Sequence, residues 1–335
     1  MQEKPWPRVA VVGAGAVGCY FGGMLARAGA PVILIGRAPH VEAINRDGLF
    51  IDSIHFKQSV SVSASTELGA VRDAHLVLFS VKTVDTESTA KLLAPYLAPD
   101  TIVVSLQNGV DNAERIDFAA GIRVIPAVVY IAAAMTGAGR VKHSGRGDLI
   151  IGNPGNPSPK HDAGTAELEE VAAIFTRAGV ACRVSANITA ELWQKLIMNC
   201  AYNAISALSS TKYGRIAEDA GTIEVIKQVI VEAVAVGNAV GVQLSSDSMI
   251  AAALKLGGEA MPEAVSSTAQ DIARGKPTEI DSLNGYLVRK GAELGVPTPV
   301  NQTLYNLVKL LERAPSRSSS DEPDSELPSV AEIPS

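Results

Sequence analysis

Cysteine, histidine and aromatic residues are scarce in this sequence, and most of the shortages close off a class of chemistry. The three cysteines in 335 residues, Cys19, Cys182 and Cys200, are odd in number, far apart and set among apolar neighbours. That pattern fits reduced thiols in a cytosolic protein better than a disulfide-built scaffold. The five histidines, at 40, 55, 75, 143 and 161, stand at no metal-ligand spacing, so a metalloenzyme reading finds no support. No nucleophile elbow is present, which leaves a serine hydrolase without its motif. Positive charge is not in excess either. The net charge is −6, of which residues 314–335 carry −4 (five acids against Arg317), leaving −2 for the rest. Neither nucleic acid nor an anionic membrane is an expected partner of such a balance. Long unbroken apolar runs are also missing, because Lys195 and Glu232 interrupt the most apolar helical stretches. No membrane span is expected, and no signal peptide precedes the first strand.

What is present is an ordinary globular composition, 47% hydrophobic and 19% charged, in a chain long enough for two domains. Residues 8–12 are a β-rich run, followed by Gly13-Ala14-Gly15-Ala16-Val17-Gly18, an apolar helical pattern to about Gly29, and a second strand over 31–35. That is a βαβ unit about thirty residues long. Further strands are expected at 74–81, 101–106, 123–131, 140–142 and 148–151, with 180–184 closing the sheet, and helices near 85–94, 112–119 and 163–178. Alternation of this kind predicts an α/β fold, a Rossmann-type doubly wound parallel sheet. The Pro-, Gly- and Asn-dense residues 153–159 read as a surface loop. From 186 the β-rich runs stop and helical patterns follow one another to 313. The expected organisation is therefore a dinucleotide-binding domain over 1–185, an all-helical second domain over 186–313, and a Ser-, Pro- and acid-rich tail over 314–335 that buries too little apolar surface to order itself.

The glycines have separate tasks. Gly13 permits a tight turn, Gly15 lets backbone approach a pyrophosphate, and Gly18 packs helix on strand, so that the helix N-terminus faces the phosphates. FAD is the competing ligand of such a turn, but nothing later in the chain resembles a flavin domain. At the end of the second strand, where an acid would bind the ribose of NAD, stands Arg37. A guanidinium there suits a 2′-phosphate and favours NADPH, although a solvated loop arginine would look the same. Ser80, Lys82 and Gln107-Asn108-Gly109 fall at later strand ends, where ligands of open α/β sheets bind. Lys82 is equally readable as a surface lysine.

In the helical half, Lys195, Asn199 and Asn203 recur at four-residue spacing on an otherwise apolar helix, so the three share one face. Either Lys195 snorkels to solvent or it is a functional amine. Burial among Leu192, Leu196 and Leu208 would lower its proton affinity and make it a better donor to the alkoxide formed when a ketone is reduced. A second polar cluster runs from Ser266 to Ile272 and on through Gly275-Lys276-Pro277-Thr278-Glu279. Thr278 looks like an N-cap with Glu279 on the first turn of the helix that follows, a place where its charge also simply suits the helix dipole.

Taken together, the glycine turn, Ser80-Val81-Lys82, Gln107-Asn108-Gly109, the helix Trp193-Gln194-Lys195-Leu196 with Asn199 and Asn203, and Ser267 ahead of Thr278-Glu279-Ile280-Asp281 resemble the ketopantoate reductase family from residue 8 to about 312. The resemblance implies NADPH-dependent reduction of 2-dehydropantoate to (R)-pantoate, on the way to pantothenate and coenzyme A, in the cytoplasm. It implies Lys195 as proton donor with Glu279 beside the reacting centre, and Asn108, Lys195, Asn199, Asn203 and Ser267 on the substrate. Gly13, Ala14, Gly15, Ala16, Val17, Gly18, Arg37, Lys82, Asn108, Ala133 and Glu279 would lie against the cofactor. Tyr213 departs from the pattern, standing before Gly214 where biosynthetic members carry asparagine. The alternatives are thus a related dehydrogenase for another branched or aromatic 2-oxo acid, or a dinucleotide-binding sensor or scaffold without turnover. The oligomeric state is left open, a homodimer included.

Overall fold

The computed structural model describes residues 5–154 and 164–313. Part of the expected 153–159 loop and the whole acidic tail lie outside the described residues. In chain order the first half contains β1 (Val9–Val12), α1 (Ala16–Arg27), β2 (Val32–Ile35), α2 (Ala38–Asp47), β3 (Leu49–Ser53), β4 (Lys57–Val60), β5 (Ser63–Ser65), β6 (Leu76–Phe79), α3 (Thr86–Leu93), β7 (Ile102–Ser105), α4 (Asn112–Ala120), β8 (Ile125–Gly137), β9 (Arg140–Ile151), α5 (Thr165–Arg177) and β10 (Cys182–Val184).

Strands β5-β2-β1-β6-β7-β8 pair in parallel in that order, the doubly wound arrangement that the alternating pattern predicts. Val9, Ala10, Val11 and Val12 are all buried, as a central strand covered on both faces requires. Beyond β8 the sheet changes character. β9 returns antiparallel, β3 joins β9 in parallel, and β4 closes that edge antiparallel. The sheet is therefore mixed, and the two short strands expected at 140–142 and 148–151 are one strand, bent by register shifts opposite β8.

The helical half contains α6 (Ile188–Ser209), α7 (Tyr213–Glu218), α8 (Ala220–Ala239), α9 (Ser246–Lys255), α10 (Ser267–Ala273), α11 (Asn284–Leu294) and α12 (Pro299–Arg313). Helix α6 is its axis. Asn187 caps it by accepting from the backbone N–H of Ala190 at 3.1 Å. Trp193, Leu196, Ile197, Cys200, Ala201 and Ile205 are buried in the surrounding core. Each large side chain of that set contributes about 1.5–3 kcal/mol of burial, so the register of α6 is rigidly held. Leu208, expected beside Lys195, is instead exposed at the far end of the helix. The buried carboxylate of Glu232 on α8 accepts the first backbone N–H groups of α12, from Val300 and Asn301, at 2.8 and 2.9 Å, which docks α12 by charge against its N-terminus. Among the described residues no helix is long and apolar enough to cross a membrane.

Candidate active site

The glycine turn lies between β1 and α1 at the carboxyl ends of the parallel strands. Gly13 has φ +109°, and a Cβ there would come within 2.7 Å of the Ser80 backbone. A Cβ on Gly18 would meet the Gly13 carbonyl at 2.2 Å. The Ser80 hydroxyl donates to that same carbonyl at 2.9 Å, tying the turn to the end of β6. Gly15, the residue before α1, has nothing within 4 Å of where its Cβ would be, and no side chain caps the helix N-terminus. Close packing at 13 and 18 with open space at 15 is the cradle a pyrophosphate fills, with the first N–H groups of α1 turned toward it, so the residues present fit a dinucleotide. Arg37 is exposed at the carboxyl end of β2, immediately before α2. The backbone N–H of Gly139 donates to His40 Nδ1 at 3.3 Å one turn later.

A chain of polar contacts joins the two halves of the molecule. Lys195 Nζ donates to Asn108 Oδ1 at 2.9 Å and to the Val129 carbonyl at 2.5 Å. Asn108 Nδ2 donates in turn to Glu279 Oε2 at 3.0 Å. The other carboxylate oxygen, Oε1, accepts the Thr83 hydroxyl at 2.7 Å. Asn112 fixes the loop from behind by donating to the Asn108 carbonyl at 2.6 Å. Burial lowers the pKa of Lys195 from 10.5 to about 8; Glu279 opposes the shift, Arg146 adds to it and Asp148 opposes it. A lysine at about 8 is still substantially protonated at neutral pH and gives up its proton far more readily than a free one.

Two other expectations come out differently. Glu279 is not on the first turn of a helix. It precedes a short 3-10 turn over Ile280–Ser282, and α11 begins only at Asn284. Thr278 does cap locally, accepting from the N–H of Ile280 at 3.2 Å, but its own hydroxyl donates to Glu312 at 2.5 Å. The carboxylate of Glu279 is thereby free to reach across to Thr83 and Asn108 instead of serving a helix dipole. Lys82 is no free surface lysine, because its ammonium pairs with Asp271 of α10 at 2.8 Å. Burial pulls its pKa down, but Glu279 and Asp271 outweigh that and leave it raised.

Asn203 is buried, and its side-chain oxygen accepts the Tyr213 hydroxyl at 3.2 Å. The Tyr213 ring lies against that of Tyr202 with centroids 4.5 Å apart. Ser266, not Ser267, bonds α6, donating to the Asn203 carbonyl at 3.2 Å. Ser267 is exposed at the first position of α10, and Asn199 is half-buried on the Lys195 face; among the described residues neither side chain makes a hydrogen bond. Ala133 lies in β8, opposite His143. Sequence reasoning passed over Thr83 and gave Asp271, inside the Ser266-to-Ile272 cluster, no role of its own; their partners are 196 and 189 residues distant. No local pattern signals such pairs.

A Rossmann sheet with a glycine turn at its strand ends, joined to a helical domain whose half-buried lysine is bridged through an asparagine to a glutamate, defines a two-domain dinucleotide-dependent oxidoreductase. Its family follows from comparison. The pattern described as Ketopantoate reductase PanE/ApbA matches residues 9–156, and its C-terminal counterpart matches residues 187–312. The 2-dehydropantoate 2-reductase of Pyrococcus horikoshii is 34% identical over 91% of this chain and 97% of its own. The crystal structure of a PanE/ApbA family ketopantoate reductase from Ralstonia eutropha JMP134 is 48% identical, covers 91% of this chain and 98% of its own, and superposes with a TM-score of 0.82. A D-mandelate dehydrogenase structure with NADH and anilino(oxo)acetate, 24% identical over 91% of this chain and 98% of its own, shares the fold with a TM-score of 0.83. The chain belongs to the ketopantoate reductase family, an NAD(P)H-dependent group of oxidoreductases.

Proposed function

We propose that the protein reduces 2-dehydropantoate to (R)-pantoate with NADPH, in the cytoplasm and toward pantothenate and coenzyme A, with Lys195 as the proton donor. The observation that carries this reading is the Lys195–Asn108–Glu279 chain, which sets a readily ionised ammonium between the two halves of the molecule. When bound, the reduced nicotinamide supplies the hydride. Lys195 Nζ gives its proton to the alkoxide oxygen that develops on the former carbonyl. Asn108 and Glu279 hold the amine against rotation, while Asn199, Asn203 and Ser267 offer neutral hydrogen-bonding groups to the hydroxyl and carboxylate of a small acid. Gly13 to Gly18 would hold the pyrophosphate, with Lys82, Ala133, Asn108 and Glu279 toward the nicotinamide half and Arg37 at the 2′-phosphate. The test is NADPH oxidation by the purified protein against a panel of 2-oxo acids. A clear preference for 2-dehydropantoate supports the proposal, and a clear preference for another acid refutes it. Tight NADPH binding without any ketone-dependent oxidation would return the protein to the sensor alternative.

The cofactor assignment has its own check. Arg37→Ala is expected to weaken NADPH by on the order of 10- to 100-fold, the loss of one or two charge-assisted bonds to phosphate, while leaving NADH nearly unchanged. Equal losses for the two cofactors would mean that Arg37 does not read the 2′-phosphate.

One observation favours a second reading, a related dehydrogenase for a different branched or aromatic 2-oxo acid. The Tyr213 phenol occupies the Asn203 amide oxygen and adds an aromatic surface stacked on Tyr202. Under that reading Tyr213→Asn moves the preference toward 2-dehydropantoate by about 10-fold or more, since a polar partner for a substrate hydroxyl is gained. An unchanged ranking across the panel would remove Tyr213 as a specificity determinant.

A further inference from the structure

Arg146 is held in an unusual way for a half-exposed arginine. Its φ is +53°, a region that residues bearing a side chain rarely enter. The backbone there is tied down by the buried His143, whose Nε2–H donates to the Arg146 carbonyl at 2.5 Å while Nδ1 bonds the Ser53 hydroxyl at 2.9 Å. The guanidinium is fixed at two places. It grips Asp148 with both forks, Nε to Oδ1 at 3.0 Å and Nη2 to Oδ2 at 2.7 Å, and it stacks on Tyr130 with Cζ 3.7 Å from the ring centroid. The same ring lies 5.7 Å from Lys195 Nζ, and the neighbouring Val129 carbonyl accepts a Lys195 proton. Strand β8 thus presents one aromatic platform on which the ammonium and the ion pair both rest.

We propose that the Arg146–Asp148 pair, seated on Tyr130, is a positioning unit that sets the electrostatic environment of Lys195 from the sheet side. It counterbalances Glu279, which faces the amine from the helical half. The groups around Lys195 are then Glu279, itself beside Lys82, with Arg146 and Asp148 from β9 and Tyr130 from β8. Glu191, one turn earlier on α6, is engaged by Arg183 at 2.6 Å. An ordinary surface ion pair contributes little and needs neither a left-handed backbone nor a shared ring. This inference rests on Lys195 being the proton donor, and its experiment separates the two.

The pair's two members act on Lys195 with opposite sign, which a purely structural role does not mimic. Arg146→Gln removes a repelling cation and frees Asp148, so the alkaline limb of ketone reduction moves to higher pH. Asp148→Asn leaves the cation unopposed and moves the limb to lower pH. Each shift is expected to be on the order of half a pH unit at low salt, the effect of one charge several ångströms away. Arg146→Lys keeps a cation in place and stays closer to the parent protein than Arg146→Gln does. It therefore separates loss of charge from loss of packing, and Asp148→Asn carries the test if the glutamine variant folds poorly. The pH dependence of Lys195 acetylation by acetic anhydride, read by mass spectrometry, reports the same midpoint without turnover. It tests the pair even if the parent protein reduces no 2-oxo acid. Opposite shifts in the two variants support the proposal. Shifts in the same direction, or an unmoved midpoint with only kcat or stability lowered, overturn it.

Discussion

Lys195→Ala is expected to lower kcat for ketone reduction by on the order of 100- to 10,000-fold, the usual contribution of a positioned acid, while NADPH affinity changes by less than about threefold. The asymmetry follows from where the amine points. Its hydrogen-bond partners are the Asn108 side chain and the Val129 carbonyl, and neither belongs to the glycine turn. The parent protein should also lose reductase activity as pH rises through about 8, because burial places the ammonium's pKa there and only the protonated amine donates. In the direction of alcohol oxidation the sign reverses, since the neutral amine is then the required base. Rate profiles in both directions, with cofactor affinity measured by fluorescence titration, check all three statements. A variant with near-parental kcat would remove Lys195 from the chemistry.

Much of the frame that supports this amine was legible in the sequence. The glycine turn after a valine-rich strand reads as a dinucleotide cradle, and the four-residue row of polar groups on α6 stands out because the rest of that helix is apolar. Residues 38–65 were not legible. Strand β4 reads Lys57-Gln58-Ser59-Val60 with three exposed side chains, so it carries no apolar alternation, and β5 is only three residues long. Strand β9 looked like two because Gly145, Arg146 and Gly147 break its pattern. The interruption turns out to be a bulge in one continuous strand, with Arg146 and Gly147 both at positive φ. The short α7 carrying Tyr213 fell below the length at which helical periodicity shows. At the site itself, residue types were readable and pairings were not. Thr83 with Glu279 and Lys82 with Asp271 each join strand-end loops to the helical half, and only the folded chain brings them together.

Those long-range bonds make Glu279 the second residue of large expected effect. Its carboxylate accepts from the Thr83 hydroxyl, the Thr83 N–H and Asn108 Nδ2 at 2.7, 3.4 and 3.0 Å. Glu279→Ala leaves these donors without an acceptor in a partly buried seam, at a cost of about 1–3 kcal/mol for each that water does not reach. It also frees Asn108 to turn away from Lys195. The expected outcome is a fall in kcat/KM on the order of 100-fold, with part of the loss in KM because Asn108 is also expected to meet the substrate. Charge predicts a second effect. Glu279 raises the pKa of Lys195 against the effect of burial, so removing it shifts the alkaline limb below about 8 and makes the loss at pH 8 larger than at pH 6.5. Glu279→Gln keeps an acceptor for Thr83 but no charge, so it should show the same acid shift of the limb with a smaller loss at pH 6.5. If the alanine and glutamine variants lost activity equally at every pH, Glu279 would be holding the seam together without acting on the amine.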